Sequence, residues 1–186
     1  IVPLGWVTFV FTLCAAAATI AAGLLAGRGS RLRLCLAGSL TYGAIAVLSV
    51  LIPHGRTGYA VFFLARALAG FGIGLIVPSV FALASDLVAA DRRSTAFGVL
   101  SVAMLAGRLA GFAAGGAFAA NWRTAYALIG AINLALAAAL ASLREPPRGI
   151  REPELREAIL AGAVYRFRWT RKDAGALRAA PSNLWL

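Results

Sequence analysis

The chain has 186 residues, of which 61% are hydrophobic and 13% charged, and its formal net charge is +11. A soluble domain of this length would need far more polar surface, so the composition excludes an ordinary globular protein. The charge does not indicate nucleic-acid binding, because the arginines lie between and after long apolar runs rather than on one soluble face. We expect an all-α, polytopic membrane protein with membrane lipid, and no nucleic acid, among its partners.

Five apolar runs are each long enough to cross a bilayer, which takes about 20 residues. We place these spans at residues 4–26, 34–52, 59–85, 95–119 and 125–143. A basic linker follows at residues 144–181, with a short amphipathic helix at 152–161, and residues 182–186 begin another apolar segment. Because the first residue is not methionine and the last residues resemble the start of a span, we expect a piece of a longer protein.

The basic residues of the loops predict the orientation of the spans. One side has only Arg56 and Arg123, whereas the other has the tail after Arg144 and five loop arginines: Arg28, Arg31, Arg33, Arg92 and Arg93. Cytoplasmic loops carry an excess of lysine and arginine, so the richer side is predicted to be cytoplasmic. We therefore expect a multi-pass protein of the plasma or inner membrane whose tail is cytoplasmic.

Arg66 is a charged residue within the third apolar span, about two helical turns from its outer end. An intramembrane arginine is costly and by default marks a functional site. Gly70 and Gly74 follow at a spacing that lets a neighbouring helix approach closely. Two interpretations remain open: an arm that faces the bundle interior and pairs with an ion or ligand, or a side chain that extends to the outer headgroups.

Arg108 lies near the middle of the fourth span, too deep to reach the headgroups easily. It shares a helical stripe with Gly98, Ser101, Leu105 and Phe112, by their three- and four-residue spacing. The planar guanidinium, with the Ser101 hydroxyl above it, suits a carboxylate, a phosphate or another anionic headgroup. An ion pair with an acid on a helix outside this sequence is the other interpretation.

The acidic residues all lie at or beyond the ends of the predicted spans. The sequence therefore offers no buried carboxylate for proton coupling. His54 is the only histidine, and there is no P-loop, HExxH motif or nucleophile–base pair. We expect no metal, no cofactor and no enzymatic activity.

Three motifs resemble those of the major facilitator superfamily, in the order found in its N-terminal half. The first is the turn Gly-x-x-x-Asp-Arg-x-Gly-x-Arg-Arg, matched at Gly23, Arg28 and Arg33, although Gly27 and Ser30 replace the acid and the second glycine. The second, Arg-x-x-x-Gly-x-Gly, is intact and begins at Arg66. The third, Gly-x-x-x-Gly-Pro-x-x-Gly-Gly, is matched except that Phe112 replaces the proline. The glycines of the last two motifs are Gly70, Gly72, Gly107, Gly111, Gly115 and Gly116.

The resemblance implies the second to sixth transmembrane helices of such a transporter and the central loop. It further implies that the first helix and the C-terminal half of the same protein are partners. In proton-coupled relatives the arginine corresponding to Arg66 is implicated in proton transfer. In relatives, the acid corresponding to Asp86 pairs with the arginine corresponding to Arg28. The sequence Glu145-Pro-Pro-Arg-Gly149 and the tail more weakly resemble the Spinster-like group, whose members move amphipathic lipids.

These observations predict a secondary active transporter that carries a small organic or amphiphilic, anionic solute by alternating access. Arg108, Ser101 and Arg66 are the predicted substrate contacts, and Arg66 is also assigned to coupling. Six glycines would let the helices pack and rock: Gly23, Gly70, Gly72, Gly107, Gly111 and Gly115. Three residues are predicted to form a cytoplasmic gate: Arg28, Arg33 and Asp86. The alternative is a non-transporting membrane sensor or scaffold built on a degenerate transporter half.

Overall fold

The computed structural model describes residues 2–27 and 29–161, and this part of the chain is almost entirely helical. Five helices are long and apolar enough to cross a membrane: α1 (Val2–Ala26), α2 (Arg31–Leu48), α3 (Arg56–Leu87), α4 (Arg93–Ala117) and α5 (Trp122–Ala141). A short helix, α6 (Pro153–Leu160), follows in the linker. The all-α membrane bundle is confirmed. Residues 162–186, which include most of the predicted linker and the start of a further span, lie outside the described residues.

Local chemistry explains where the helices begin. The Ser30 hydroxyl accepts a hydrogen bond from the Arg33 backbone N–H (3.0 Å), which caps the first turn of α2. Gly55 precedes α3 with φ of 94°, a backbone conformation that favours glycine. Pro153 is at the start of α6, where a backbone N–H would have no intrahelical acceptor. The absence of this group in proline therefore costs no helical hydrogen bond.

Helix α3 is the centre of the bundle, packed against α1 and against α2, and α2 packs in turn against α5. The contact between α2 and α3 is close because glycine faces glycine. A Cβ atom added to Gly72 would lie 2.8 Å from the Gly38 carbonyl oxygen, and one added to Gly38 would lie 2.6 Å from the Gly72 carbonyl oxygen. Small residues allow such close approach between membrane helices.

Pro78 lies inside α3 and removes one hydrogen bond from it. The carbonyl of Gly74, four residues earlier, would have accepted the missing N–H. Instead the Thr19 hydroxyl of α1 donates to this oxygen at 3.3 Å, while also donating to the Ala15 carbonyl at 2.9 Å. The side chain thus compensates a freed carbonyl at membrane depth, as the apolar surroundings require.

Helix α4 lies at the margin of the bundle. None of its residues is buried within the described part of the chain, and it contacts α3 and α5 only sparsely. The chain turns tightly at each end of α4, through Ala90–Arg92 and Ala119–Asn121. Helix α4 is therefore held mainly through its connections, in contrast to the packed α3.

Candidate functional site

The predicted close approach around Arg66 is present, and Gly70 produces it. Gly70 lies one turn after Arg66 on the same face of α3, and an added Cβ there would collide with the backbone carbonyl of Phe11 on α1. Gly74, a further turn along, faces the backbone of Ala15 in the same way. The two glycines bring α1 onto α3, and they place the Phe11 ring beside the Arg66 guanidinium.

Two aromatic rings from different helices lie beside the Arg66 guanidinium. Its Cζ atom is 4.6 Å from the centroid of the Phe11 ring on α1 and 5.6 Å from that of the Tyr126 ring on α5. Both distances are within the range of cation–π attraction, which contributes from about 0.5 to 2 kcal/mol. An arginine costs about 2.5–3.5 kcal/mol at the centre of a span on insertion scales, which is an upper bound for Arg66 about two turns from the end, and the two rings offset part of that cost.

Arg66 is half-buried, and its guanidinium makes no hydrogen bond or ion pair with the residues that the structure describes. The described acidic residues lie at the other end of α3 or beyond it. The role of Arg66 as an interior ion-pair or ligand arm stays a prediction. Its position leaves a cationic donor inside the bundle without a carboxylate from the described ranges.

Arg108 and Ser101 have a different environment on α4. Both side chains are exposed, and the Ser101 hydroxyl donates to the Phe97 carbonyl of its own helix at 2.9 Å. Within residues 2–27 and 29–161, no contact joins Arg108 to Arg66 or to an acid. The predicted grouping of Arg108 with Arg66 therefore stays a prediction.

The glycines that were predicted to pack fall into two groups, those that face a neighbouring helix and those that do not. Gly70 and Gly72 face neighbouring backbone. A Cβ added to Gly23, Gly107, Gly111 or Gly115 would meet no other atom within 4 Å in the described part of the chain. A packing role for these four glycines also stays a prediction.

A cluster of charged side chains joins several helix ends around the C-terminal end of α3, and we call this end of the bundle the basic end. At its centre, Arg31 at the start of α2 forms an ion pair with Asp86 near the end of α3, and both are buried. The Arg31 Nη1 group also donates to the Ala82 carbonyl at 3.0 Å. The Gly149 backbone N–H donates to Asp86 Oδ1 at 3.0 Å. Asp86 therefore links α2, α3 and the linker.

Glu145, at the end of α5, binds the N-terminus of α2. It accepts a hydrogen bond from the Arg31 backbone N–H at 2.9 Å, and Arg31 Nε lies 3.7 Å from the same oxygen. A carboxylate is stabilised at this helix end by the free N–H groups. Burial alone raises the pKa of Glu145, but hydrogen bonds from the Ser30 hydroxyl and the α2 backbone, together with the Arg31 charge, hold the pKa below its ordinary value.

Arg148 and Glu152 attach the linker to two further helix ends. Arg148 donates to the carbonyls of Ala26 (2.7 Å), Gly27 (2.9 Å) and Gly29 at the end of α1. A cation suits the C-terminus of a helix, where carbonyls lack intrahelical partners. Glu152 pairs with Arg93 at the start of α4, with 2.8 Å between Nη1 and Oε1. The linker thus contacts the basic ends of α1, α2, α3 and α4.

The basic-end cluster includes one residue of the predicted gate, Asp86, whose ion-pair partner among the described residues is Arg31. The predicted pairing of Asp86 with Arg28 stays a prediction, because Arg28 lies outside the described residues. The Arg33 side chain is exposed and forms no ion pair with the residues that the structure describes. Sequence reasoning missed three members of the cluster: Arg31, Glu145 and Arg148. The sequence signal for Arg31 was its position in the first turn of α2, at the same predicted end of the bundle as Asp86.

No group of three metal-ligating side chains occurs among the described residues. A polytopic helical bundle with a cationic side chain held among its spans, and charged pairs at one end, fits a membrane transporter. The sequence model of the Major Facilitator Superfamily matches residues 3–185, almost the whole chain, so the chain belongs to this family of membrane transporters. A search of curated proteins found no significant match.

Proposed function

We propose that the chain is part of a secondary active transporter that moves a small organic or amphiphilic, anionic solute by alternating access. The observation that carries this proposal is the Arg66 guanidinium, which is half-buried between α1, α3 and α5 without a carboxylate partner among the described residues. A cationic donor among spanning helices attracts an anion more strongly than it would in water, because the surrounding dielectric is low.

The basic end supplies the proposed cytoplasmic gate. Asp86 is its centre, with Arg31 as the observed partner and with Arg28 and Arg33 as further basic residues on the same turn. A buried ion pair holds its two helices together while it is formed, and removal of one partner leaves an uncompensated charge. We infer that opening of this cluster accompanies access from the cytoplasm, and that the tail after Arg144 is cytoplasmic, because most of the basic loop residues lie on this side.

Arg108 and Ser101 are the further proposed substrate contacts. They are exposed in the part of the chain that the structure describes, so their contribution requires that the solute, or a segment outside the described residues, comes against this face of α4. The weak resemblance of Glu145–Gly149 to the Spinster-like group supports an anionic amphiphile as the solute. The arginines alone suit organic anions in general.

Uptake into proteoliposomes containing the complete polypeptide tests the transport proposal. The probes are radiolabelled benzoate, phenyl phosphate and a single-chain alkyl phosphate, with benzyltrimethylammonium as the cationic control. We expect uptake of at least one anion above that of protein-free liposomes. We expect Arg66→Gln to abolish it and Arg56→Gln, an exposed arginine at the same end of α3, to retain it.

Binding without uptake would overturn the proposal. In that result the purified protein binds an anion, but the anion does not accumulate inside the proteoliposomes. This holds whether the imposed solute or proton gradient is directed inward or outward. The sensor or scaffold would then be the better assignment.

A further inference from the structure

The two rings beside Arg66 determine which parts of its guanidinium can bind a ligand. Cation–π attraction acts between the charge and the ring faces of Phe11 and Tyr126 and uses none of the five N–H donors. The described residues supply no acceptor to these donors either. The charge is thus held by aromatic groups, while its hydrogen-bonding capacity is not used.

The positions of both rings are themselves fixed by packing. The Tyr126 ring contacts the rings of Trp122 and Phe62 edge-on, with centroid separations of 5.6 Å and 5.9 Å. Phe62 and Trp122 also contact each other at 5.7 Å, which closes a three-ring cluster. On the other side, the absence of a side chain at Gly70 brings the α1 backbone at Phe11 against α3. The Tyr126 ring is therefore held by two neighbouring rings, and the Phe11 ring is carried by a backbone segment packed against α3.

We propose that Phe11 and Tyr126 are positioning residues, which hold the Arg66 guanidinium so that its free N–H donors bind the oxyanion of the solute, a carboxylate or a phosphate. A planar fork of donors matches the two oxygens of either group. This inference rests on the proposed function, since it assigns the solute's charged group to one site. It separates the role of Arg66, which touches the anion, from that of the rings, which touch only Arg66.

Calorimetric titration of the complete polypeptide in lipid nanodiscs tests the site, with phenyl phosphate and benzoate as ligands and benzyltrimethylammonium as the cationic control. We expect Arg66→Gln to weaken anion binding by about tenfold or more, the range of a lost hydrogen bond to a charged group. Tyr126→Leu and Phe11→Leu should each weaken it by about threefold to tenfold, because ring attraction is lost. Tyr126→Phe keeps the ring and should remain within about twofold of the parent protein.

Two roles of Tyr126 can be distinguished: positioning of Arg66 by the ring, and a hydrogen bond from the phenol to the anion. Positioning predicts that Tyr126→Phe keeps the anion affinity and that Tyr126→Leu loses it. A second readout is the NMR shift of the Arg66 side-chain Nε–H group. It should show a ring-current displacement in the parent and in Tyr126→Phe, and a smaller one in Tyr126→Leu. If Arg66→Gln does not fold, Arg66→Lys replaces it: the charge remains but the planar fork is lost, so anion affinity should still fall.

Three results would overturn the inference: unchanged anion binding in Arg66→Gln or Arg66→Lys, equal effects of Tyr126→Phe and Tyr126→Leu, or no ring-current displacement at Arg66. Anion uptake that persists in Arg66→Gln but is lost in Arg108→Gln would refute this site while leaving the transport proposal intact. Absence of binding and of uptake for every anion in the parent protein would refute the proposed solute class itself.

The anion can come from a free solute or from a lipid headgroup, and the nanodisc composition separates the two. In nanodiscs of phosphatidylcholine alone, the soluble anions should bind as described. Addition of phosphatidate should compete with phenyl phosphate only if a lipid headgroup reaches Arg66, and the Arg66→Gln variant should abolish that competition. Competition that survives in Arg66→Gln would assign the lipid effect to the basic end or another surface.

Discussion

Helices α3 and α4 share a pattern of arginine and glycine residues but have different environments. Each places one arginine among glycines at helical spacing, Arg66 in α3 and Arg108 in α4. In α3 the glycines face the backbones of α1 and α2, whereas in α4 they face no atom of the described residues. Glycine spacing makes close approach possible, but a neighbouring helix must be present to use it. The same motif therefore indicates a packed site only where the fold supplies that neighbour.

The comparison predicts that substitutions in α3 cost much more stability than matched substitutions in α4. The largest difference is expected at the charged ends. Asp86→Asn should lower the free energy of unfolding by about 3 kcal/mol, the lower end of the range for a broken buried pair, because buried Arg31 loses its closest counter-ion and keeps the longer contact with Glu145. Arg93→Gln removes the more exposed pair with Glu152 at the start of α4 and should cost less than about 1 kcal/mol.

Thermal or denaturant unfolding of the purified protein in detergent measures both substitutions. In the Asp86→Asn variant the Gly149 N–H should donate to a neutral amide oxygen instead of a carboxylate, a weaker hydrogen bond, so proteolysis within the linker should accelerate. Equal losses of stability in the two variants would contradict the view that α3 carries the stability of the basic end.

The glycine faces provide the second test. Gly70→Ala should destabilise by about 1–3 kcal/mol, because the added Cβ collides with backbone rather than with a movable side chain. Gly111→Ala meets nothing within 4 Å and should be neutral or stabilise α4 by up to about 1 kcal/mol, the helix-propensity difference between the residues. Unfolding curves of the two variants in the same detergent compare them directly. Destabilisation by Gly111→Ala would show that this face of α4 is packed in the protein.

The sequence was sufficient to predict the helical architecture, because long apolar runs can only be satisfied in lipid as helices. It also indicated a face of small residues beside Arg66, since the spacing of Gly70 and Gly72 from Arg66 depends only on helix geometry, but it did not identify the helices that pack on this face. The basic-end cluster could not be predicted in the same way. Glu145 binds the start of α2 across 114 residues, so the contact depends on how the helices are arranged in space. For α4, spacing alone could not reveal that no described neighbour faces the glycines.

Acid sensitivity offers a third test, at the contact between the linker and α2. Because the pKa of Glu145 is lowered in the folded protein, its carboxylate contributes stability above the ordinary glutamate pKa and loses it as the pH falls through the lowered value. Glu145→Gln should cost about 1 kcal/mol at neutral pH and reduce the loss of stability on acidification. Glu157→Gln, an exposed residue of α6, is the control and should leave the pH profile of unfolding unchanged. If the parent protein, Glu145→Gln and Glu157→Gln show the same dependence of stability on pH, Glu145 does not contribute to the acid sensitivity.

The smallest difference in stability is expected between removal of the Thr19 hydroxyl, which contacts α3, and removal of the Ser101 hydroxyl of α4. Thr19→Val removes the donor to the Gly74 carbonyl that Pro78 leaves without its intrahelical partner, and should cost about 0.6–1.5 kcal/mol. Ser101→Ala removes a hydroxyl that donates only within α4, to a carbonyl four residues earlier, and should change stability by less than about 0.5 kcal/mol. The combination Thr19→Val with Pro78→Ala decides the mechanism. Alanine restores the N–H of residue 78, so the cost of losing the hydroxyl should fall in the double variant, and an additive cost would mean that Thr19 acts through packing alone.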